Sequence, residues 1–176
     1  MATEEEPRTA EINAALWGAR AEDWAEVQEQ MCRSVFVAAF ERARLRPGAH
    51  VLIMTWGTPE GMEAASLLAA LRPLLPSPPP GTPGPFALSG EGAIRVFAEG
   101  AGLKPIEVFD VDSPWRYPDL QTALRGLRSS GVAVRAIENS TEEEVNDAHA
   151  RALVPFRQTD GSYRVGATFR CLLAAA

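Results

Sequence analysis

The stretch that most constrains this chain is His50-Val-Leu-Ile-Met-Thr-Trp-Gly57. Four consecutive apolar residues closed by a Trp-Gly corner, with Thr58-Pro59 behind them, describe a buried strand running into a helix. A strand apolar on both faces belongs deep in a sheet, with neighbours on either side. Only two other segments have strand character. Residues 104–112 alternate Ile106, Val108 and Phe109 against Glu107 and Asp110, and residues 163–173 place Val165, Ala167, Phe169 and Cys171 on one face. The expectation is therefore a narrow sheet of about three strands carrying a strand built for a wider one.

The remainder reads as helix and loop. From Glu11 to Arg44, Ile12, Leu16, Trp24, Val27, Met31, Val35 and Phe36 recur mostly at helical spacing. Gly18 divides this into a short helix, 9–17, and a longer one, 23–44, ending at an Arg46-Pro-Gly48 stop. Thr58 and Pro59 open a helix expected to reach Leu75, with the Thr58 hydroxyl as its cap. The proline-rich run 77–85 is an extended connection that could prop Phe86 and Leu88 over a pocket. A short helix, 92–100, follows, and Gly90-Glu-Gly92 in front of it lacks the preceding strand of a phosphate loop. Residues 113–118 read as a turn and 119–128 as a helix. Ser140 and Glu143 form an expected capping box opening a helix to Leu153, and Asp160-Gly161 is a turn into the closing strand.

With 176 residues, the chain is long enough for one domain and short for two, so residues 1–176 are taken as one unit: 1–45 a helical lid, 46–176 an α/β core. A net charge of -6 with Lys104 as the single lysine excludes a dedicated nucleic-acid binder. The acidic start, Met1-Ala-Thr-Glu-Glu-Glu-Pro7, is unlike a secretory signal. No window approaches the roughly 20 apolar residues of a membrane span, so a soluble protein is expected. Cys32 and Cys171 lack metal-type spacing and suit two reduced thiols in a cytoplasmic protein, with a disulfide between them left open.

Candidate site residues are few. His50 and His149 are the only histidines, have no ligand partners at suitable spacing, and are read as structural or exposed, with His149 a cation suited to a late helix position; no metal site follows. Trp17, Trp24, Trp56 and Trp115 all fall at helix starts or strand ends and not in the middle of a core pattern. Asp23 beside Trp24 and Glu60 past the Trp-Gly corner are candidate catalytic acids or bases, because a carboxylate against an indole is desolvated and its pKa raised. Asp110, Asp112, Arg116 and Tyr117 read as a solvated strand end and turn.

Trp17-Gly-Ala-Arg-Ala-Glu-Asp-Trp24, a long helix and Leu45-Arg-Pro-Gly48 resemble the entry of class I S-adenosylmethionine-dependent methyltransferases of the ubiquinone/menaquinone-methylating type. Pro47 to Gly57 resembles that family's fifth strand, and the later segments its last two. The resemblance implies a truncated Rossmann-like α/β fold with strand order 5-7-6, the closing strand in the middle, Trp17 and Trp24 in a lid, and Trp56 at the mouth at the carboxyl end of a strand, where open α/β sheets bind ligands; these three tryptophans are the candidate walls of a substrate pocket, with Met54 and Phe86 as secondary walls. It also shows a loss. The family's first turn leads to a strand ending in an Asp-x-Gly-x-Gly type loop, whereas Arg46-Pro-Gly48 here leads to Ile53-Met-Thr-Trp56, as if two similar turns had been joined. The glycine loop, the ribose-binding acid and the adenine-contacting segment are missing, so no cofactor is expected.

The expectation is a methyltransferase-like protein of natural-product biosynthesis that acts on a small apolar metabolite as a cofactor-independent cyclase or isomerase. The alternatives are a non-catalytic partner docking on a full-length enzyme, and a methyltransferase active only as an assembly. The strand 50–55, from His50 to Thr55, is left with an apolar, unpaired edge that invites a homodimer or a heteromer.

Overall fold

A computed structural model describes residues 9–43 and 50–175. The chain is mixed α/β. β1 (Val51–Trp56), β5 (Thr168–Ala175) and β2 (Lys104–Asp112) form a three-stranded sheet in the order β1-β5-β2, antiparallel at both pairings, with the last strand central. A second, two-stranded sheet joins β3 (Trp115–Tyr117) to β4 (Tyr163–Val165). The Arg46-Pro-Gly48 turn, Arg44 and the acidic start lie outside the described residues.

The first sheet carries a helix on each face. α4 (Arg33–Ala43) lays Val35 and Ala39 over Cys171, with Leu52, Met54 and Phe109 around them. α6 (Glu91–Gly100) lays Ile94 and Ala98 on the opposite face, against Leu172 and Ala174, with Ile53 alongside. Leu52 and Met54 face one side and Ile53 the other, as the two-residue period of a strand requires. Neither helix is centred on β1: their main packing is against β2 and β5.

The expected closing strand is two strands, because the chain leaves the sheet at Gly166. The Glu63 Oε2 accepts the Gly166 N–H at 2.5 Å, and the Gly166 carbonyl accepts the Ala64 N–H at 2.9 Å. Those bonds take the backbone groups a continuous ladder would have used. β4 is thereby free to pair with β3, and the expected turn 113–118 becomes a strand with Trp115 and Tyr117 pointing into the core.

Other boundaries move for local reasons. The helix expected from Thr58 to Leu75 is a 3-10 turn (Pro59–Gly61), α5 (Ala65–Ala70) and a second 3-10 turn (Arg72–Leu74) with Pro73 inside it; Thr58 makes no side-chain cap. The capping box lies one residue later than expected. Thr141 accepts the Glu144 N–H at 3.1 Å and shares its hydroxyl with the Glu144 carboxylate at 3.0 Å, opening α9 (Glu142–Leu153). α7 (Leu120–Arg128) has Asp119 as its N-cap. α8 (Gly131–Asn139), capped by Ser130, occupies a stretch for which no element was expected.

The N-terminal segment packs across these helices. α1 (Thr9–Gly18) is followed by α2 (Ala21–Asp23), a π-helical turn (Trp24–Gln28), α3 (Glu29–Met31) and α4. In place of one long helix there are short segments. The π turn is closed by the Glu29 N–H donating to the Trp24 carbonyl. Such wide turns occur mostly as single-turn bulges within helices and are frequent at functional sites. No described helix is long and apolar enough to cross a membrane.

Candidate functional site

All four tryptophans converge on one cavity. Trp56 reaches it from the carboxyl end of β1, Trp115 from β3, and Trp17 and Trp24 from the N-terminal segment. Trp17 and Trp24 meet edge to face with ring centroids 5.0 Å apart; Trp56 lies 6.0 Å from Trp115 and stacks on Phe169 at 5.1 Å. Aromatic pairs at these separations hold one another's orientation and add to simple area burial. The free space is about 110 Å³, with α5 leucines and Leu127 completing an apolar wall.

Two glycines let the N-terminal segment close on this space. A Cβ on Gly131, the first residue of α8, would lie 2.7 Å from Trp17 Nε1. A Cβ on Gly126 in α7 would lie 2.7 Å from Val27 Cγ1 and 3.1 Å from Gln28 Oε1. The absence of a side chain at these two positions therefore seats the indole and the π turn against the helical layer. Gln28 is buried, and its Oε1 accepts the Tyr117 hydroxyl at 2.9 Å. Tyr117, expected in a solvated turn, is instead fully buried, and burial pushes its phenol well above the ordinary value.

His149 is the one ionisable side chain among the residues lining the cavity. It is 2% exposed, and burial, with the nearby Arg128 charge adding to it, lowers its pKa to about 4. The imidazole is therefore neutral near pH 7, which corrects the expectation of a helix-end cation. His149 Nδ1 and Trp115 Nε1 are both buried and without a hydrogen-bond partner.

No family model matches this sequence, and no curated protein does. The roles of these side chains rest on their geometry.

Of the residues expected at a substrate pocket, Trp17, Trp24 and Trp56 line the cavity, joined by Trp115. Met54 and Phe86 do not. Met54 packs under α4 with the Cys32 and Cys171 cluster, and Phe86 packs on the outside of the main core, leaving Pro85 at the cavity wall. The carboxylates are also elsewhere. Asp23 accepts from Arg125 Nε at 2.6 Å, and Arg125 also holds Glu26 at 2.5 Å. Asp23 lines a wider, open groove of about 710 Å³ between α2 and α8, not the tryptophan cavity. Glu60 is exposed on its 3-10 turn. The wider groove is lined largely by charged and small residues, and an enclosed apolar space is the better ligand site.

The two cysteines are free, buried and in one apolar cluster, and burial raises each thiol to about 11. Among the described residues no three His, Cys, Asp or Glu side chains are grouped as metal ligands. The signal for Trp115 was present in the sequence as a fourth tryptophan at an element end. His149 gave none, because its helical position says nothing of the distant β3 and α5 residues that enclose it.

Proposed function

We propose that this protein is a methyltransferase-like remnant that holds a small, largely apolar metabolite in the four-tryptophan cavity and acts on it as a cyclase or isomerase, without S-adenosylmethionine. The convergence of Trp17, Trp24, Trp56 and Trp115 on one enclosed space carries this reading. Such a site works by fixing one folded geometry of the ligand and excluding water from it. Any proton carried at the cavity would pass through the neutral His149, since Asp23 and Glu60 lie away from it.

The residues present do not suit S-adenosylmethionine. Among the described residues, β1 ends in Trp56-Gly57 and a 3-10 turn in place of a glycine loop, no carboxylate lines the tryptophan cavity, and its free space of about 110 Å³ lies far below the several hundred Å³ of sites for larger ligands. The β1-β5-β2 order, with the last strand central, supports equating these strands with the fifth, seventh and sixth of the methyltransferase sheet. Titration calorimetry and tryptophan emission test the reading: toluene should bind and Trp56→Ala should abolish that binding, while S-adenosylmethionine should give no heat. Tight S-adenosylmethionine binding, or no response to any single-ring ligand, overturns it.

The free edge of β1 supports a homodimer in which two copies of this strand pair antiparallel about a two-fold axis. β1 has no charge or proline, whereas the other edge strand, β2, carries Pro105, Glu107, Asp110 and a register shift between Pro105 and Glu107 that discourage pairing. α4 adds apolar surface on the same side. Arg42 pairs with Glu107 of β2 and Ser34 Oγ lies 2.5 Å from Ser113 Oγ just beyond it, so the opposite flank of α4, with Phe36 and Phe40, lies toward β1. Phe40 is 57% exposed there. Light scattering at micromolar concentration should give twice the chain mass, and Val51→Lys with Phe40→Lys should halve it. A monomeric parent protein overturns the dimer.

A further inference from the structure

The tryptophan cavity is walled by side chains that are mostly buried or half-buried, so a ligand enters only where that wall parts. Three of the lining residues are exposed: Trp17 in α1, Pro85, and Val132 in α8. The last two are fixed. Phe86, next to Pro85, packs on the main core, and the Ser89 carbonyl accepts from Arg170 Nη1 at 2.5 Å. α8 is buried along Ala133, Val134 and Ala136. α1 is held far less. Of its ten residues only Leu16 is buried, and a helix this short has little stability apart from its packing.

Beyond Gly18 the same N-terminal segment is anchored at several points. Arg20 donates to Glu142 of α9 at 2.5 Å, and Asp23 and Glu26 both accept from Arg125 of α7. Val27 is buried over Gly126, and Gln28 accepts the Tyr117 hydroxyl at 2.9 Å. The ion pairs are partly exposed and weak singly, so the buried Val27 and Gln28 do most of the holding. Arg20 itself, at φ -136° and ψ 38°, breaks the helix between the loose part and the fixed one. Resting on the reading of this cavity as a ligand site, we infer that α1 is its gate: α1 turns on Arg20 and lifts Trp17 off Gly131, while the π turn with Trp24 stays in place. Trp17 suits that part because it is 45% exposed and is the lining residue that α1 supplies. A lid of this kind admits the ligand and then shuts water out, as the proposed chemistry requires.

Native-state hydrogen exchange and binding kinetics of the full chain are the test. Without ligand, and with no variant needed, the amides of α1 should exchange well before those of 24–31, with the break at Arg20, and saturating toluene should slow them. Stopped-flow mixing with toluene, read by tryptophan emission, should give association and dissociation rates that both rise about tenfold in Gly131→Ala, because the added methyl overpacks only the closed position. The affinity should change far less, since a gate lies on the way in and the way out alike. Toluene rates that do not move in Gly131→Ala overturn the gate and leave the cavity filling by another path. Exchange of 9–31 as one unit overturns it as well, by removing the joint at Arg20. Failure of toluene to bind overturns the cavity reading, and the gate with it.

Discussion

The indole of Trp17 rests directly on the backbone of Gly131, with its Nε1 2.7 Å from where a Cβ would stand. Trp17 is 45% exposed and can swing outward, whereas the residues over Gly126, Val27 and Gln28, are buried. Gly131→Ala should therefore open the lid with little loss of stability, under about 1 kcal/mol, because added helix propensity offsets part of the clash. Gly126→Ala should cost more, about 1–3 kcal/mol, through overpacking. Urea midpoints and tryptophan emission separate the two: a red shift for Gly131→Ala in the native state, a lowered midpoint for Gly126→Ala.

His149 makes stability fall in mild acid. Its folded pKa of about 4 lies below its ordinary value of 6.5, so between these the unfolded chain binds the proton first. The contribution is complete above about pH 6.5 and is lost as pH falls toward 4. Between pH 7 and 4.5 the loss should be about 2 kcal/mol. His149→Phe should flatten this part of the profile in urea denaturation measured across the same range. An unchanged slope would place a charged imidazole in the cavity.

Asp23→Asn and Glu60→Gln should leave single-ring binding unaltered, since the first carboxylate is held by Arg125 and the second is exposed. Calorimetry with toluene checks both variants. A loss of binding in either would bring that carboxylate back into the site.

Cys32 and Cys171 should not react with an aromatic disulfide reagent at pH 8 while the protein is folded. Their thiols stand at about 11, and both are buried beside each other's cluster. Two thiols should appear together in urea. Rapid labelling of one without denaturant would mean that α4 lifts from the sheet.

Much of this was readable along the chain because it depends on near neighbours. β1, β2, α6 and α7 follow from period and from local stops, and Trp17, Trp24 and Trp56, which the resemblance placed around one pocket, do line one cavity. Where single residues compete for one role, proximity in sequence misled. Ser140 and Thr141 can both cap α9, but Ser140 ends α8 with its hydroxyl donating to the Ala136 carbonyl, so the cap falls to Thr141. Thr58-Pro59 begins a helix in principle, yet the bonds from Glu63 and Ala64 to Gly166 stop it after one turn.

By itself, then, the sequence determined a mixed α/β chain with a strand lacking its neighbours, because hydrophobic period and terminal caps are local properties. Only the tertiary structure decided what faces the cavity. Met54, Phe86, Asp23 and Glu60 adjoin the right elements but point into other surroundings, while Trp115 and His149 arrive from segments far apart in sequence. The state of His149 was set the same way, since a histidine's charge depends on the water and charges around it and not on its place in a helix.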